Sequence, residues 1–187
     1  FKLVNPSPKC WSKSSHGKID VTDALRFSCN YFFYEVGYRL GLTSNGSLNH
    51  EKGLATLSKY AKMFGLGDTS GIELSEAIPK ISDYDTVRSA IGQGNHSYTP
   101  AGLSRYVTTL ANSGTCYNLT LIDKTVNPVT GNVEDNSATV KNNVDISDTT
   151  WKYIHKGMRK VITGGSIDKL YENVNVDVAG KTGTAQE

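Results

Sequence analysis

The chain has 187 residues, of which 37% are hydrophobic and 20% are charged, and its formal net charge is +2. This composition predicts a folded protein, because disordered chains carry fewer apolar residues and a larger net charge. The sequence contains no Lys/Arg block, which argues against a nucleic-acid-binding surface. It has no apolar run of about 18 residues and no charged segment before its first apolar residue, so neither a spanning helix nor a signal peptide is expected within it.

The first predicted elements are two helices that meet at a polar junction. After an irregular lead-in over residues 1–18, a helix begins at Thr22, a good N-cap, and ends near Phe27. A second helix over residues 31–41 is apolar nearly all round, which is typical of a helix buried on most sides. The junction Ser28-Cys29-Asn30 is therefore expected beside the core.

The rest of the chain predicts three more helices and some peripheral strands. Caps and glycines place the helices at about 49–64, from Thr99 to about 114, and from Ser147 or Asp148 to about 162. Residues 115–143 mix β-branched residues with turn signals and predict hairpins. A final strand is expected from about Asn173. No repeat or linker interrupts the sequence, so it is expected to form one unit.

The final strand leads into Lys181-Thr182-Gly183, the most informative triplet of the chain. It puts an ammonium, a hydroxyl and a backbone without a side chain on consecutive positions, which suits an edge that binds an extended anionic substrate. Ser28-Cys29-Asn30 fits the pattern S-x-N. Together, S-x-N and K-T-G are two of the three motifs of serine acyl-transfer enzymes that use a lysine as base, and S-x-x-K is the third.

The sequence around these motifs resembles the transpeptidase domain of class B, monofunctional penicillin-binding proteins, in particular the Gram-positive, clostridial-like branch. The resemblance covers essentially the whole chain. Its segments are, in order, Lys9-Cys-Trp11, His16-Gly17, 24–37, Phe64-Gly-Leu-Gly67, Ile91-Gly-Gln-Gly94, Thr99-Pro100, 110–114, Gly157-Met158 and Ala179-Gly-Lys-Thr-Gly-Thr-Ala-Gln186.

The resemblance implies an α/β (α+β) fold of the serine β-lactamase and penicillin-binding-protein transpeptidase type. The chain would be an incomplete, mostly helical version of this fold with one C-terminal sheet strand. Residues 1–187 would form the part of the transpeptidase domain that runs from the S-x-N motif to the K-T-G motif.

The resemblance also implies a role for each motif residue. Ser28 would relay protons as a general acid and base, Asn30 would bind a substrate amide carbonyl, and Lys181 would supply positive potential. The hydroxyls of Thr182 and Thr184 would hold the substrate carboxylate. Gly183 would let the substrate backbone approach the strand, and the Thr184 N–H would form half of an oxyanion hole.

The third motif, which supplies the nucleophile, is not matched. Two S-x-x-K strings occur, Ser15-His-Gly-Lys18 and Ser166-Ile-Asp-Lys169. In the family the nucleophile opens a helix and precedes S-x-N by several tens of residues, and neither string fits that description. We expect the nucleophilic serine upstream of Phe1, the C-terminal strands and helix also outside the chain, and residues 1–187 alone to be inactive.

The implied function is that of a serine-type peptidoglycan D,D-transpeptidase, an acyltransferase that cross-links stem peptides ending in D-Ala-D-Ala and is acylated by penicillin and other β-lactams. Expected partners are stem peptides, β-lactams and proteins of a cell-wall synthesis complex, without nucleic acid. The expected location is the extracytoplasmic face of the bacterial plasma membrane, anchored by a segment outside this chain. Cell shape and antibiotic resistance are the expected biological contexts.

Two alternatives to this function stay open. One is a related serine hydrolase, either a D,D-carboxypeptidase or a class D β-lactamase-like enzyme or sensor, because these enzymes share the motifs. The other is a non-catalytic scaffold of a wall-synthesis complex that keeps the fold without the chemistry.

A candidate metal site is formed by Cys10, His16 and Cys29, because two thiolates and an imidazole are zinc ligands. Asp20 or Asp23 could supply a fourth ligand. The alternative is buried thiols, since free cysteine is often a small hydrophobic residue and the spacing is wide. The acyl-transfer chemistry requires no cofactor, so zinc here would be structural.

Overall fold

The computed structural model describes residues 1–184, which combine α-helices with short antiparallel strands. The last two residues of the Ala179–Gln186 segment and the final residue, together residues 185–187, lie outside the described part. The helices are α1 Val21–Arg26, α2 Asn30–Gly41, α3 His50–Met63, α4 Thr86–Ser89, α5 Pro100–Ala111 and α6 Asp148–Gly164, followed by a 3-10 helix at Asp168–Tyr171. The strands are β1 Thr115–Tyr117, β2 Lys124–Val126, β3 Val133–Asp135 and β4 Val140–Asn143. The α+β class is as predicted.

Contacts divide the chain into two compact units that interleave along the sequence. The first unit contains Phe1–Ala55, Asp83–Gly94 and the chain from Ile146 onward, and the second contains Thr56–Ser82 and Asn95–Asp145. The expectation of one transpeptidase region over residues 1–187 stays a prediction. No helix within residues 1–184 combines the length and the apolar content that crossing a bilayer requires.

The core of the first unit forms around α2. Phe1, Tyr34 and Val87 are buried together. The helix approaches α4 closely at Gly37, where a Cβ atom would lie 2.7 Å from the carbonyl oxygen of Thr86, so only glycine fits. The other face of α2 exposes Tyr31. The sequence predicted that α2 is buried on most sides, and this prediction is wrong for the face that carries Tyr31.

The caps of the helices show how far local sequence determines the elements. Thr99 and Ser147 cap α5 and α6 as predicted, each accepting a hydrogen bond from a backbone N–H three residues on. For α1 the cap is Asp20 and not Thr22, because the Asp20 carboxylate accepts both the Asp23 N–H and the Thr22 hydroxyl. The unpredicted helix α4 begins at Thr86 and is capped by Asp85, whose carboxylate accepts the Arg88 N–H.

The second unit is organised around a buried arginine on α5. Arg105 is 1% exposed, and its guanidinium donates to the carbonyls of Gly65, Asp68, Thr69 and Ser70 and to the Asp68 carboxylate. Beyond α5, β1 pairs with β4 and β2 pairs with β3, both antiparallel. Every residue of β2 and β3 is exposed, so the prediction of a peripheral hairpin is confirmed for these two strands. It does not hold for β1, whose Cys116 is buried.

The predicted final strand is not formed, because residues 173–184 contain no strand. A strand is stabilised by hydrogen bonds to a neighbouring strand, and here the backbone of this segment bonds instead to the α6 region. The N–H of Gly180, for example, donates to the carbonyl of Met158 at 3.2 Å.

Candidate active site and metal centre

Ser28 occupies the turn that ends α1 and leads into α2. The N–H of Ser28 donates to the Leu25 carbonyl at 3.2 Å, and the N–H of Cys29 donates to the Ala24 carbonyl at 3.0 Å. These two bonds define a Schellman motif, in which the residue after the cap adopts the left-handed conformation and is usually glycine. Ser28 holds that position with φ 49°. Serine in this conformation costs about 1–2 kcal/mol, so the local structure does not explain its presence.

Helix α6 fixes the position of α1, and therefore of Ser28. The Lys160 ammonium donates to the Thr22 hydroxyl at 2.7 Å and to the Asp23 carboxylate at 2.6 Å. One turn on, Arg26 Nε donates to the carbonyl of Gly164 at 2.7 Å. The helices touch at Gly157, where a Cβ atom would lie 2.4 Å from a Leu25 methyl carbon.

The same helix also positions the segment that carries Lys181. Arg159 donates through one terminal nitrogen to the Val178 carbonyl and through the other to the Asp177 carboxylate, both at 2.7 Å. With the Gly180 to Met158 bond, these contacts lay residues 177–180 along α6. Because α6 holds both segments, it brings Ser28 and Lys181 together although 153 residues separate them.

Ser28 and Lys181 meet directly. The ammonium of Lys181 donates to the Ser28 hydroxyl oxygen at 2.9 Å, and to the carbonyl and hydroxyl of Thr182 at 2.7 and 3.3 Å. Lys181 is exposed overall. The surrounding protein nevertheless removes part of the water around its ammonium, and this desolvation lowers the pKa of Lys181. A lysine in this setting can exchange a proton with a neighbouring hydroxyl more readily than an ordinary surface lysine.

Three predicted site residues, Asn30, Gly183 and Thr184, lie close along the chain but are not joined to Ser28 or Lys181 by side-chain hydrogen bonds in the described structure. Asn30 begins α2 and lies one helical turn before Tyr34, whose hydroxyl donates to the Lys9 carbonyl at 3.3 Å. Gly183 and Thr184 are exposed, and a Cβ atom at Gly183 would meet no atom within 4 Å. The backbone at Gly183 is therefore open to a ligand that approaches it.

Neither S-x-x-K string has the geometry of a nucleophile on a helix. Ser15 lies in an irregular segment, where its hydroxyl accepts the Gly17 N–H at 3.0 Å. Ser166 lies in the turn between α6 and the 3-10 helix. A cavity of about 340 Å³ between α6 and residues 168–178 also lies apart from the site, because its lining includes neither Ser28 nor Lys181.

The three predicted metal ligands converge. One donor atom from each of Cys10, His16 and Cys29 lies within 4.8 Å of the other two. Asp20 and Asp23 are not in this cluster, since Asp20 caps α1 and Asp23 binds Lys160. Cys116 is a buried free thiol of the second unit.

The two sulfur atoms lie at the N-terminal end of α2, and their environments differ. Burial opposes ionisation of Cys10, but backbone N–H groups of Ser12, Tyr31 and Asn30 outweigh it, so the pKa of Cys10 is lowered. At Cys29, which is 5% exposed, burial dominates and raises the pKa. A cation would lower both, because it stabilises thiolates.

Comparison with known proteins decides the family. The chain matches the family model described as the penicillin binding protein transpeptidase domain over residues 2–187. The chain belongs to this family. The resemblance inferred from the motifs is therefore confirmed.

Two curated relatives and one solved structure illustrate the similarity of this penicillin-binding-protein domain. Stage V sporulation protein D of Bacillus subtilis is 30% identical over 186 residues, which cover 96% of this chain and 27% of that protein. Peptidoglycan D,D-transpeptidase MrdA of Haemophilus influenzae is 30% identical over 193 residues, covering 94% and 28%. Penicillin-binding protein 2B of Streptococcus pneumoniae superposes with a TM-score of 0.77 at 25% identity, covering 90% of this chain and 30% of that one. The chain thus spans less than a third of these relatives.

Two contributors to the site of this transpeptidase-domain chain were missed from sequence. Arg159 orients the segment before Lys181, and the Trp11 indole N–H donates to the carbonyls of Phe27 and Ser28 at 3.1 and 2.9 Å. Trp11 was noted only as part of a family segment. One signal in the sequence could have identified Trp11. It directly follows Cys10, and if Cys10 and Cys29 share a metal ion, Trp11 must lie near the turn that holds Ser28.

Proposed function

We propose that this chain supplies the S-x-N and K-T-G part of a peptidoglycan D,D-transpeptidase site at the extracytoplasmic face of the bacterial membrane. The observation that supports the proposal best is the 2.9 Å hydrogen bond from the Lys181 ammonium to the Ser28 hydroxyl. The turn does not require a strained serine beside a lysine of lowered pKa, but this arrangement suits proton transfer during acyl transfer.

In this proposal each group of the pair has a defined task. The Ser28 hydroxyl passes a proton from the attacking serine to the leaving amine of D-Ala-D-Ala or to the nitrogen of a β-lactam ring. The Lys181 ammonium holds the Ser28 oxygen in place and attracts the substrate carboxylate, which the Thr182 and Thr184 hydroxyls bind. Asn30 donates to a substrate carbonyl, and the Thr184 N–H faces the developing oxyanion.

The acylated serine belongs, in this proposal, to residues outside these 187. The positions of Ser15 and Ser166 support this, because neither begins an α-helix and both lie on irregular backbone. Mass mapping of the β-lactam adduct on the native protein that carries this chain tests the point. An adduct on Ser15 or Ser166 would show it to be wrong.

The proposed function is tested by acylation of the native protein with a fluorescent penicillin. Wild type is expected to be labelled, and Ser28→Ala to lower the acylation rate about 100- to 1,000-fold, which lies within the range for loss of a positioned acid–base group. Ser113→Ala is the matched control, because Ser113 also has a left-handed backbone, with φ 61°, and follows a helix. We expect its rate to stay within about twofold of wild type.

Two results would contradict the proposal. Absence of labelling of wild type would favour the non-catalytic scaffold. Equal effects of Ser28→Ala and Ser113→Ala would show that loss of a strained serine, and not loss of a proton relay, slows acylation. A labelled protein that turns penicillin over quickly, without a long-lived adduct, would support the hydrolase alternative.

We further propose that Cys10, His16 and Cys29 bind a structural zinc ion. Two sulfurs and one imidazole are a common zinc donor set, and bond lengths of about 2.0–2.3 Å require ligand atoms roughly 3.5 Å apart. The spacing within 4.8 Å is close to this value, so the residues fit the ion after a small contraction. When bound, zinc would tie the segment 10–16 to the start of α2; Asp20 and Asp23 are engaged elsewhere and are not proposed as its fourth ligand.

Elemental analysis of protein purified without added metal tests the zinc proposal. About one zinc per chain is expected, with Cys29→Ser losing it and Cys116→Ser, the control at the buried thiol of the second unit, retaining it. Chelation is expected to lower the melting temperature of wild type. Metal-free wild type whose melting temperature is unaffected by a chelator would refute the proposal.

A further inference from the structure

Trp11 lies against the turn that carries Ser28, and packing alone does not explain its position. The side chain is 62% exposed, so it gains little from burial. Its indole N–H, however, donates to the Ser28 carbonyl at 2.9 Å and to the Phe27 carbonyl at 3.1 Å. The specific contact of this residue is thus a hydrogen bond to the site turn.

The two carbonyls are those that α1 cannot satisfy by itself. Phe27 is the C-cap and Ser28 follows it, so both carbonyls lie beyond the reach of helical N–H groups. A donor placed here also fixes the orientation of the peptide group after Ser28. Because Ser28 is in the unfavourable left-handed conformation, a bond to its carbonyl helps to keep it there.

Two residues of the same segment, Cys10 before Trp11 and His16 after it, hold the indole in place. Cys10 contacts backbone N–H groups at the start of α2. His16 stacks on the ring of Phe27 with an interplanar angle of 6° and a centroid distance of 5.4 Å, and its ring also lies 5.7 Å from that of Trp11. The segment 10–16 therefore wraps around the turn with the indole N–H directed at the Ser28 carbonyl.

We infer that Trp11 is a positioning residue for the proton relay, an inference that rests on the proposed function. Its N–H fixes the backbone of Ser28 in the conformation that places the hydroxyl 2.9 Å from the Lys181 ammonium. Trp11 acts through the Ser28 main chain, and its effect belongs to the acylation step and not to the binding of the β-lactam.

The test compares tryptophan with a ring that lacks the donor. In the native protein, Trp11 is replaced by phenylalanine and by 3-benzothienylalanine, which keeps the shape of indole and replaces N–H by sulfur. Acylation by a fluorescent penicillin yields three quantities: the acylation rate constant, the dissociation constant of the complex that precedes acylation, and the fraction of protein that can be acylated. Both variants are expected to lower the rate constant about tenfold, as loss of one hydrogen bond predicts, and to leave the other two unchanged.

The chain contains one other tryptophan, Trp151, which provides the control. It is 6% exposed on α6, and 3-benzothienylalanine at that position is expected to leave the acylation rate constant unchanged. An unchanged rate constant at position 11 would overturn the inference. A loss confined to the acylatable fraction would show a merely structural role, and a loss confined to the dissociation constant would show a ligand contact; either would overturn it too. If wild type is not acylated at all, the proposed function itself fails.

Discussion

The ends of α1 and α5 have the same backbone and different surroundings. Each helix ends in a Schellman motif with serine in the left-handed position, Ser28 with φ 49° after α1 and Ser113 with φ 61° after α5. At α5 the Asn112 amide satisfies the turn, accepting the N–H groups of Gly114 and Thr115 and donating to the Thr115 carbonyl. At α1 the corresponding donor is Trp11, 17 residues before Ser28.

The difference lies in what the serine hydroxyl faces. Ser28 receives a hydrogen bond from the Lys181 ammonium, whereas Ser113 is exposed and its hydroxyl has no hydrogen bond within residues 1–184. A similar left-handed backbone therefore accompanies a charged partner in one case and solvent in the other. A strained serine by itself does not indicate a site, whereas the lysine that long-range contacts place beside Ser28 supports the proposed one.

The largest expected effect comes from removing the lysine that distinguishes the two turns. Lys181→Met in the native protein should lower the acylation rate about 100- to 1,000-fold, because it removes the charge that faces Ser28 and the substrate carboxylate. The control is Lys169→Met, which changes an exposed lysine of the second S-x-x-K string and should have no effect. Stopped-flow acylation with a fluorescent penicillin measures both, and equal rates for the two variants would contradict the role of Lys181.

The same lysine predicts the pH dependence of acylation. Lysine carries its charge below its pKa, and desolvation lowers the pKa of Lys181 from the ordinary value of 10.5. The rate should therefore fall with rising pH earlier than an ordinary lysine would allow. Arginine stays charged throughout, so Lys181→Arg should move the alkaline fall to higher pH even if its rate is lower. If the acylation rate of Lys181→Arg falls at the same alkaline pH as that of wild type, a group other than Lys181 causes the fall.

A smaller effect is expected at the other turn. Asn112→Ala removes three hydrogen bonds from an exposed turn and should lower the free energy of unfolding by about 1 kcal/mol. The acylation rate constant should not change, in contrast to Trp11→Phe. Urea unfolding followed by circular dichroism gives the stability. An acylation loss in Asn112→Ala comparable to that of Trp11→Phe would remove the distinction between the turns.

The smallest effect is a gain in stability. Ser113→Gly should raise the free energy of unfolding by roughly 0.5–1 kcal/mol, because glycine adopts positive φ without strain, although it loses more entropy on folding. Ser28→Gly relieves the same strain but also loses the hydrogen bond from Lys181, so its gain should be smaller, and it should slow acylation as Ser28→Ala does, which would show that strain is retained for function. Urea midpoints test both, and destabilisation by both glycines would show that the serine side chains contribute to the turns.

The sequence predicted those parts of the structure that depend on short-range chemistry. Ser147 and Thr99 cap helices because a hydroxyl can reach an N–H three residues on, and this interaction is visible in any sequence. The choice of Asp20 over Thr22 at α1 was missed because two acceptors lay within two residues and the carboxylate accepts both bonds. Helix α4 has only four residues, too few for a periodic pattern.

The candidate site was predictable where motifs name residues and not where contacts are made over distance. Ser28 and Lys181 were identified from their motifs, and Cys10, His16 and Cys29 from their ligand chemistry. The bonds of Arg159 to residues 177 and 178 and of Trp11 to the Ser28 turn depend on how folded segments approach each other. No local pattern encodes a side-chain donor that caps a helix from an earlier segment.

The wide separation of Ser28 and Lys181 along the chain has a consequence for folding. Contacts between residues far apart in sequence form only after the loss of chain entropy that closes the intervening loop, so they tend to be made late. The pair also requires α6 to have docked on α1 and to have captured residues 177–180. Under the proposed function, reactivity toward penicillin should therefore arise last as the protein matures. In pulse-labelled protein it would count completely assembled molecules and exclude compact intermediates.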